Sequence, residues 1–162
     1  MPVRLLTPTD LDRVLTINES GVPGVGPIDA ARLEHLVDES CMTLVATVDG
    51  PIAEIVAGFC IVLGPGADYG SVNYRWFSER YDDFVYLDRV AIAPEFQGRG
   101  LGRALYDEVE RRAEAAWFTL EVNLRPRNDG SLAFHERLGF VEVGQLETDY
   151  GYLVSLMAKP LP

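Results

Sequence analysis

Between Leu87 and Ala116 the sequence permits few architectures. An apolar strand, a glycine turn and a long amphipathic helix follow one another without a break. Leu87-Asp88-Arg89-Val90-Ala91-Ile92-Ala93 reads as the strand, and Pro94-Glu95-Phe96-Gln97-Gly98-Arg99-Gly100-Leu101-Gly102 as the turn. Leu101, Ala104, Leu105, Val109 and Ala113 recur at close to a helical period, with Asp107, Glu110, Arg111 and Glu114 between them on the face turned to water. A glycine-rich turn that opens a helix leaves backbone N–H groups unpaired and pointing one way. Glycine also lets an anion approach the main chain with no Cβ in its path. The expectation is a cradle for a phosphate or pyrophosphate.

The details narrow the choice. Arg103 stands where the dinucleotide fingerprint Gly-x-Gly-x-x-Gly needs its third glycine, and no Gly-Lys-Ser/Thr ends the turn as in a phosphate loop. What remains is Gln97-x-x-Gly100-x-Gly102 directly after an apolar-Ala-Pro strand end, with Asn128-x-x-Ser131-x-x-Phe134-His135-Glu136-Arg137-Leu138-Gly139-Phe140 downstream. The two blocks, in this order, resemble the signature of the GNAT (GCN5-related N-acetyltransferase) superfamily. The resemblance implies an α/β (α+β) GNAT fold. Its mixed central sheet has six to seven strands, helices on both faces and splayed central strands. It also implies acetyl-CoA as cosubstrate and transfer of an acetyl group to the primary amine of a small molecule by direct attack on the thioester. The alternatives are a longer acyl-CoA, or a coenzyme A-binding sensor or interaction module weak in or without catalysis.

Composition bounds the partners. The chain has 162 residues, 48% of them hydrophobic, enough for one domain spanning 1–162 with a sizeable core. A formal net charge of −11 excludes the basic footprint that a nucleic acid requires, and it disfavours an anionic membrane surface. No apolar run reaches the ~20 residues of a membrane span. Cys41 and Cys60, each beside apolar strand-like residues, are expected as buried free thiols of a reducing cytoplasm. An acidic field favours a cationic small molecule as acceptor.

The rest of the chain reads as follows. Val3–Leu6 is a strand, Thr7–Asp10 a helix start, and Gly21 that helix's end. Gly21–Pro27 is irregular, and by resemblance it borders the acceptor pocket. A helix over about 28–39 precedes a strand over 41–48, and Asp49-Gly50 signals a two-residue hairpin into the strand 52–63. Gly64–Asp83 reads as an irregular loop of about 20 residues holding Tyr69, Tyr74, Trp76, Phe77 and Tyr81. Those aromatics form either a satellite core, a dimer contact or an acceptor-site wall. Strands 118–122, 140–143 and 153–158 and a short helix 131–138, capped by Asn128 or Asp129 and ended by Gly139, complete the chain. A homodimer is compatible with the superfamily and with the aromatic loop.

Residue roles follow from the resemblance. Gln97, Gly98, Arg99, Gly100, Leu101, Gly102 and Arg103 would hold the pyrophosphate, with the arginines adding charge. The backbone at Val90, Ala91 and Ile92 would pair with the pantetheine arm, and an N–H of Val90 or Ala91 would meet the oxyanion. Asn128, with Ser131 and Phe134 in the same block, would contact the arm, and Asn128 is equally suited to capping. His135 occupies the position where many members carry tyrosine as general acid. Leu120-Glu121-Val122 resembles the Leu-Glu-Val of ribosomal-protein N-terminal acetyltransferases, which makes Glu121 a candidate base. Here the interval to Asn128 is longer. Asp88 and Tyr86 share one face of the central strand and are rival bases acting through water, with buried hydrogen bonding or an ion pair with Arg89 as the plain alternatives for all three. No Cys or His spacing forms a metal site.

Overall fold

The computed structural model describes residues 2–162. Its strands form a seven-stranded sheet in the order β1-β2-β3-β4-β5-β7-β6. The chain divides into two compact units. One is the segment up to Leu63 together with Leu87–Ala113, and the other is Gly64–Tyr86 with Glu114–Pro162.

In the first unit, β1 (Val3–Leu5), β2 (Met42–Asp49) and β3 (Glu54–Leu63) pair antiparallel in turn. Every residue of β3 from Val56 to Leu63 is buried. Because alternate side chains leave a strand on opposite faces, both faces of β3 are covered. The cover comes from α1 (Leu11–Gly21), α2 (Ala30–Glu39) and α4 (Leu101–Arg112), all of which pack on β3. Each helix buries one stripe: Val14, Ile17 and Asn18 in α1, Leu33 and Leu36 in α2, Leu101, Leu105, Tyr106 and Val109 in α4. Asp29 caps α2 by accepting from the Arg32 N–H at 2.8 Å. Before α1, the buried Asp10 takes the Thr7 N–H and the Arg4 guanidinium, both at 2.8 Å. Arg4 and Thr7 hold its carboxyl below the ordinary carboxylate range.

The second unit holds α3 (Val72–Ser78), the start of β4 (Phe84–Ile92), β5 (Trp117–Arg125), α5 (Asp129–Arg137), β6 (Val141–Glu147) and β7 (Leu153–Pro160). β7 lies between β5 and β6, antiparallel to both, whereas β4 and β5 run parallel. Their ladder comprises Phe84↔Trp117, Val85↔Phe118 and Tyr86↔Thr119. Gly139 closes α5 at φ 100°, the left-handed conformation that glycine adopts without strain.

Three expectations need correction. The segment Gly64–Asp83 is not irregular throughout. Ser71 accepts from the Tyr74 N–H at 3.3 Å and so caps α3, whose Tyr74 and Phe77 lie one turn apart and are buried. These rings pack on Tyr86 at 5.6 and 5.9 Å, and Tyr81 packs on Trp117 at 5.5 Å, so the aromatics form a satellite core. The hairpin after β2 is longer than two residues: Asp49 pairs with Glu54, and Gly50, Pro51, Ile52 and Ala53 form the connection. Pro51 has no N–H with which to close a tight turn after Gly50. Finally, both thiols are free and Cys60 is buried, but Cys41 is exposed because it precedes the first residue of β2. Burial pushes the Cys60 thiol up to about 12.

Candidate active site

The turn before α4 is the candidate cradle for an anion. Pro94–Phe96 makes a 3-10 turn, and Gly98 and Gly100 then adopt φ 77° and 78°. Gly100 is the residue on which α4 starts. The first helical hydrogen bond runs from the Ala104 N–H to the Gly100 carbonyl at 3.0 Å. Among the described residues, the N–H groups from Gly98 to Arg103 donate no hydrogen bond within the protein. A Cβ added at Gly98, Gly100 or Gly102 meets nothing within 4 Å, so the approach is open. Six successive amides at the positive end of a helix of 12 residues are a fit for a diphosphate. Arg99 lies over the Phe96 ring at 5.3 Å, and Arg103 pairs with Asp107 at 3.6 Å, both on the exposed side of the turn. Gln97 is tied back by its side chain to the Ile92 carbonyl at 3.2 Å, which fixes the turn to the end of β4.

Upstream on the same strand, Asp88 and Arg89 form an ion pair at 3.2 Å. The Arg89 guanidinium also donates to the Asn18 side chain at 2.9 Å and to the Gly26 carbonyl at 3.0 Å. The Asp88 carboxylate is therefore engaged with a cation, as the plain alternative has it.

The second unit assembles a different kind of site. The Tyr86 hydroxyl donates to Glu121 Oε2 at 2.6 Å, a short charge-assisted bond between neighbouring strands. The parallel pairing of Tyr86 with Thr119 sets this geometry, because Glu121 lies two residues further and on the same face as Thr119. Two residues that the sequence reading did not single out stand beside it. Asn73 of α3, 2% exposed, donates through Nδ2 to the Tyr150 hydroxyl at 3.2 Å, and its buried Oδ1 has no hydrogen-bond partner among the described residues. Burial raises the Tyr150 phenol above its ordinary value, the Asn73 bond opposes that, and the Glu121 charge reinforces it. Nothing local marks either residue. Asn73 lies in the stretch read as loop, and Tyr150 lies in the turn between β6 and β7.

In α5, Asn128 accepts from the Ser131 N–H at 3.1 Å and is the helix cap. His135 is 6% exposed and edge-on to Phe134 and Phe140, with ring centroids at 5.3 and 5.5 Å. Its Nδ1 lies 2.7 Å from the Ser131 carbonyl, an acceptor only, so Nδ1 carries the proton in the neutral ring. Burial lowers its pKa, which keeps the imidazole neutral.

The sequence profile of the Acetyltransferase (GNAT) family matches residues 18–140. The chain belongs to the GNAT acetyltransferase family. The [ribosomal protein bS18]-alanine N-acetyltransferase of Escherichia coli is 41% identical over 64 residues, which is 37% of this chain and 41% of that protein's length. Ard1 from Thermoplasma volcanium superposes with a TM-score of 0.77 at 20% identity over 99% of this chain and 97% of its own. The ribosomal-protein-S18-alanine N-acetyltransferase from Escherichia coli superposes with a TM-score of 0.69 at 24% identity, covering 99% and 93%. At those identities the superpositions establish the fold. No helix among the described residues of this acetyltransferase is long and apolar enough to cross a membrane.

Proposed function

We propose that this acetyltransferase transfers the acetyl group to the primary amine of a small molecule by direct attack, with Glu121 as the base. The observation that carries the reading is the Tyr86 hydroxyl donating to Glu121 Oε2 at 2.6 Å. A carboxylate that accepts such a bond is held in one orientation, from which it takes the proton the amine gives up, directly or through a water. Acetyl-CoA, when bound, supplies an acetyl carbon activated as a thioester. The Gly98–Arg103 amides grip its diphosphate, and the backbone of Val90, Ala91 and Ile92 orders the arm, with an N–H of Val90 or Ala91 meeting the oxyanion. The C–N bond forms as the C–S bond breaks, and the coenzyme leaves as its thiolate. Holding both reactants supplies much of the acceleration, so a strongly shifted base is not required. His135, neutral and tied to the Ser131 carbonyl, anchors α5 in this scheme. Asn128 serves first as its cap.

Net charge −11 supports a cationic acceptor. A second reading, the N-terminus of a protein, is supported by the names of the relatives, which act on an alanine of a ribosomal protein. Thiol release is measured with acetyl-CoA against a panel of small amines, anionic amines and alanine-starting peptides. Turnover of small cationic amines, lost by about 10²-fold in Glu121→Gln, is the expected result. Turnover confined to peptides moves the assignment to the second reading. Full activity of Glu121→Gln removes it from the role of base.

A further inference from the structure

One buried cation is spent on holding a loop. Arg89 stands on β4, between Asp88 and the segment Val90–Ile92, with its side chain 12% exposed and that of Asp88 4% exposed. Burying a guanidinium costs free energy unless it is paired and hydrogen-bonded. Asp88 balances the charge through Nε at 3.2 Å. Nη1 then donates twice, to Asn18 Oδ1 at 2.9 Å and to the Gly26 carbonyl at 3.0 Å. Asn18 is fully buried in the last turns of α1, and its Nδ2 donates to the same Gly26 carbonyl at 3.1 Å. These contacts fix the amide's orientation, since the reverse would set its NH2 group against the guanidinium. The result is a closed triangle of Arg89, Asn18 and the Gly26 carbonyl.

What the triangle holds is the connection from α1 to α2. Val22, Pro23, Gly24, Val25, Gly26 and Pro27 include no regular element, and the Val25 N–H returns to the Gly21 carbonyl at 3.1 Å. Where it leaves α1, at Gly21, an added Cβ would lie 3.6 Å from the Ala91 Cβ of β4. The connection therefore lies along Arg89–Ala91, beside the backbone assigned above to the acyl end of the cosubstrate.

We propose that Arg89 is a positioning residue that locks the 22–27 connection onto β4, and that the locked connection sets how tightly the amine acceptor is held. The proposal rests on the placement of the acyl end along Val90–Ile92. It assigns to Arg89 no contact with the reacting atoms. Arg is suited to the task and Lys is not, because two acceptors and a carboxylate are met at once by a planar fork. Removal of the guanidinium leaves the buried Asn18 side chain and the Gly26 carbonyl each short of a donor.

Arg89→Met and Arg89→Lys are compared with the wild type by hydrogen exchange, acetyl-CoA titration and steady-state kinetics on the best acceptor of the panel. The expected result for Arg89→Met is faster exchange across 22–27, with protection elsewhere in the unit kept. The acceptor KM rises about tenfold or more, kcat falls less than about threefold, and the acetyl-CoA affinity stays within about twofold. Arg89→Lys falls between the two. Unchanged exchange at 22–27 overturns the lock, and so does a loss in kcat with KM unmoved. If Arg89→Met fails to fold, Asn18→Ser, which removes the second side chain of the triangle, must give the same exchange and KM pattern, or the proposal fails. Exchange does not depend on turnover. A loosened loop in a protein that acetylates no amine contradicts the proposed function while leaving the lock standing.

Discussion

The turn at Gly98–Arg103 and the cluster around Glu121 solve the same problem, holding a polar group still, in opposite ways. The turn uses backbone N–H groups, successive in sequence, whose direction is set by two glycines in the left-handed region and by the helix that follows. The cluster uses side chains from four stretches: Asn73 on α3, Tyr86 on β4, Glu121 on β5 and Tyr150 between β6 and β7. A site made of main chain survives most side-chain changes and is disabled by filling a glycine. A site made of side chains is disabled by changing any one of them, and its members act as a unit.

The sharpest break between the two is kinetic. Tyr86→Phe is expected to lower kcat about tenfold and Glu121→Gln about 10²-fold. The double variant should be no worse than Glu121→Gln alone, the result expected of a hydroxyl that works through that carboxylate. None of the three should move the acetyl-CoA affinity by more than about twofold. Rapid-quench and steady-state rates, set against a direct titration, read this out.

Gly102→Ala is the matching change in the turn. Gly102 has no positive φ, and an added Cβ meets nothing within 4 Å, so the folded chain carries no strain from it. Alanine in the first turn of α4 should raise stability by about 0.5–1 kcal/mol. A methyl group over the cradle should weaken acetyl-CoA binding about tenfold while kcat at saturation holds. Calorimetry and thermal melts check both halves.

Two smaller effects concern protons. Asp10 has a lowered native pKa, so its stabilisation is complete above the unfolded value near pH 4 and is lost as the pH falls through the native value. Arg4 is partly exposed, so Asp10→Asn should cost about 1–2 kcal/mol at pH 7 and nothing in strong acid, by urea titration at each pH. His135 also has a lowered native pKa: stability from its neutral form is whole above about pH 6.5 and declines below it. His135→Gln should keep kcat within about threefold, where loss of a general acid costs about 10²-fold.

How much of this the sequence discloses follows from the same contrast. The glycine turn, the strand before it, the helix after it and the Asn128 cap are local, and each reads directly from residue spacing. The helix α3 is not legible in the sequence, because its seven residues are too few for a period and five aromatics in 20 positions look like a binding loop. Its stabilisation is tertiary, from the Tyr86 ring of β4, which the sequence does not place beside it. Glu121 and Tyr86 were legible as separate candidates, but their hydrogen bond depends on the β4–β5 register. Asn73, Tyr150 and the Arg89–Asn18–Gly26 triangle depend on contacts more than seven residues apart in the chain, where no spacing rule operates.

The central claim is that the unpaired amides before α4 grip the diphosphate of acetyl-CoA. Backbone amide shifts, followed by NMR as acetyl-CoA is added, test it directly. The account predicts saturable shifts that are largest from Gly98 to Arg103 and are weakened in parallel with affinity in Gly102→Ala. Saturable binding that leaves those amides unmoved, or no binding at all, would contradict it.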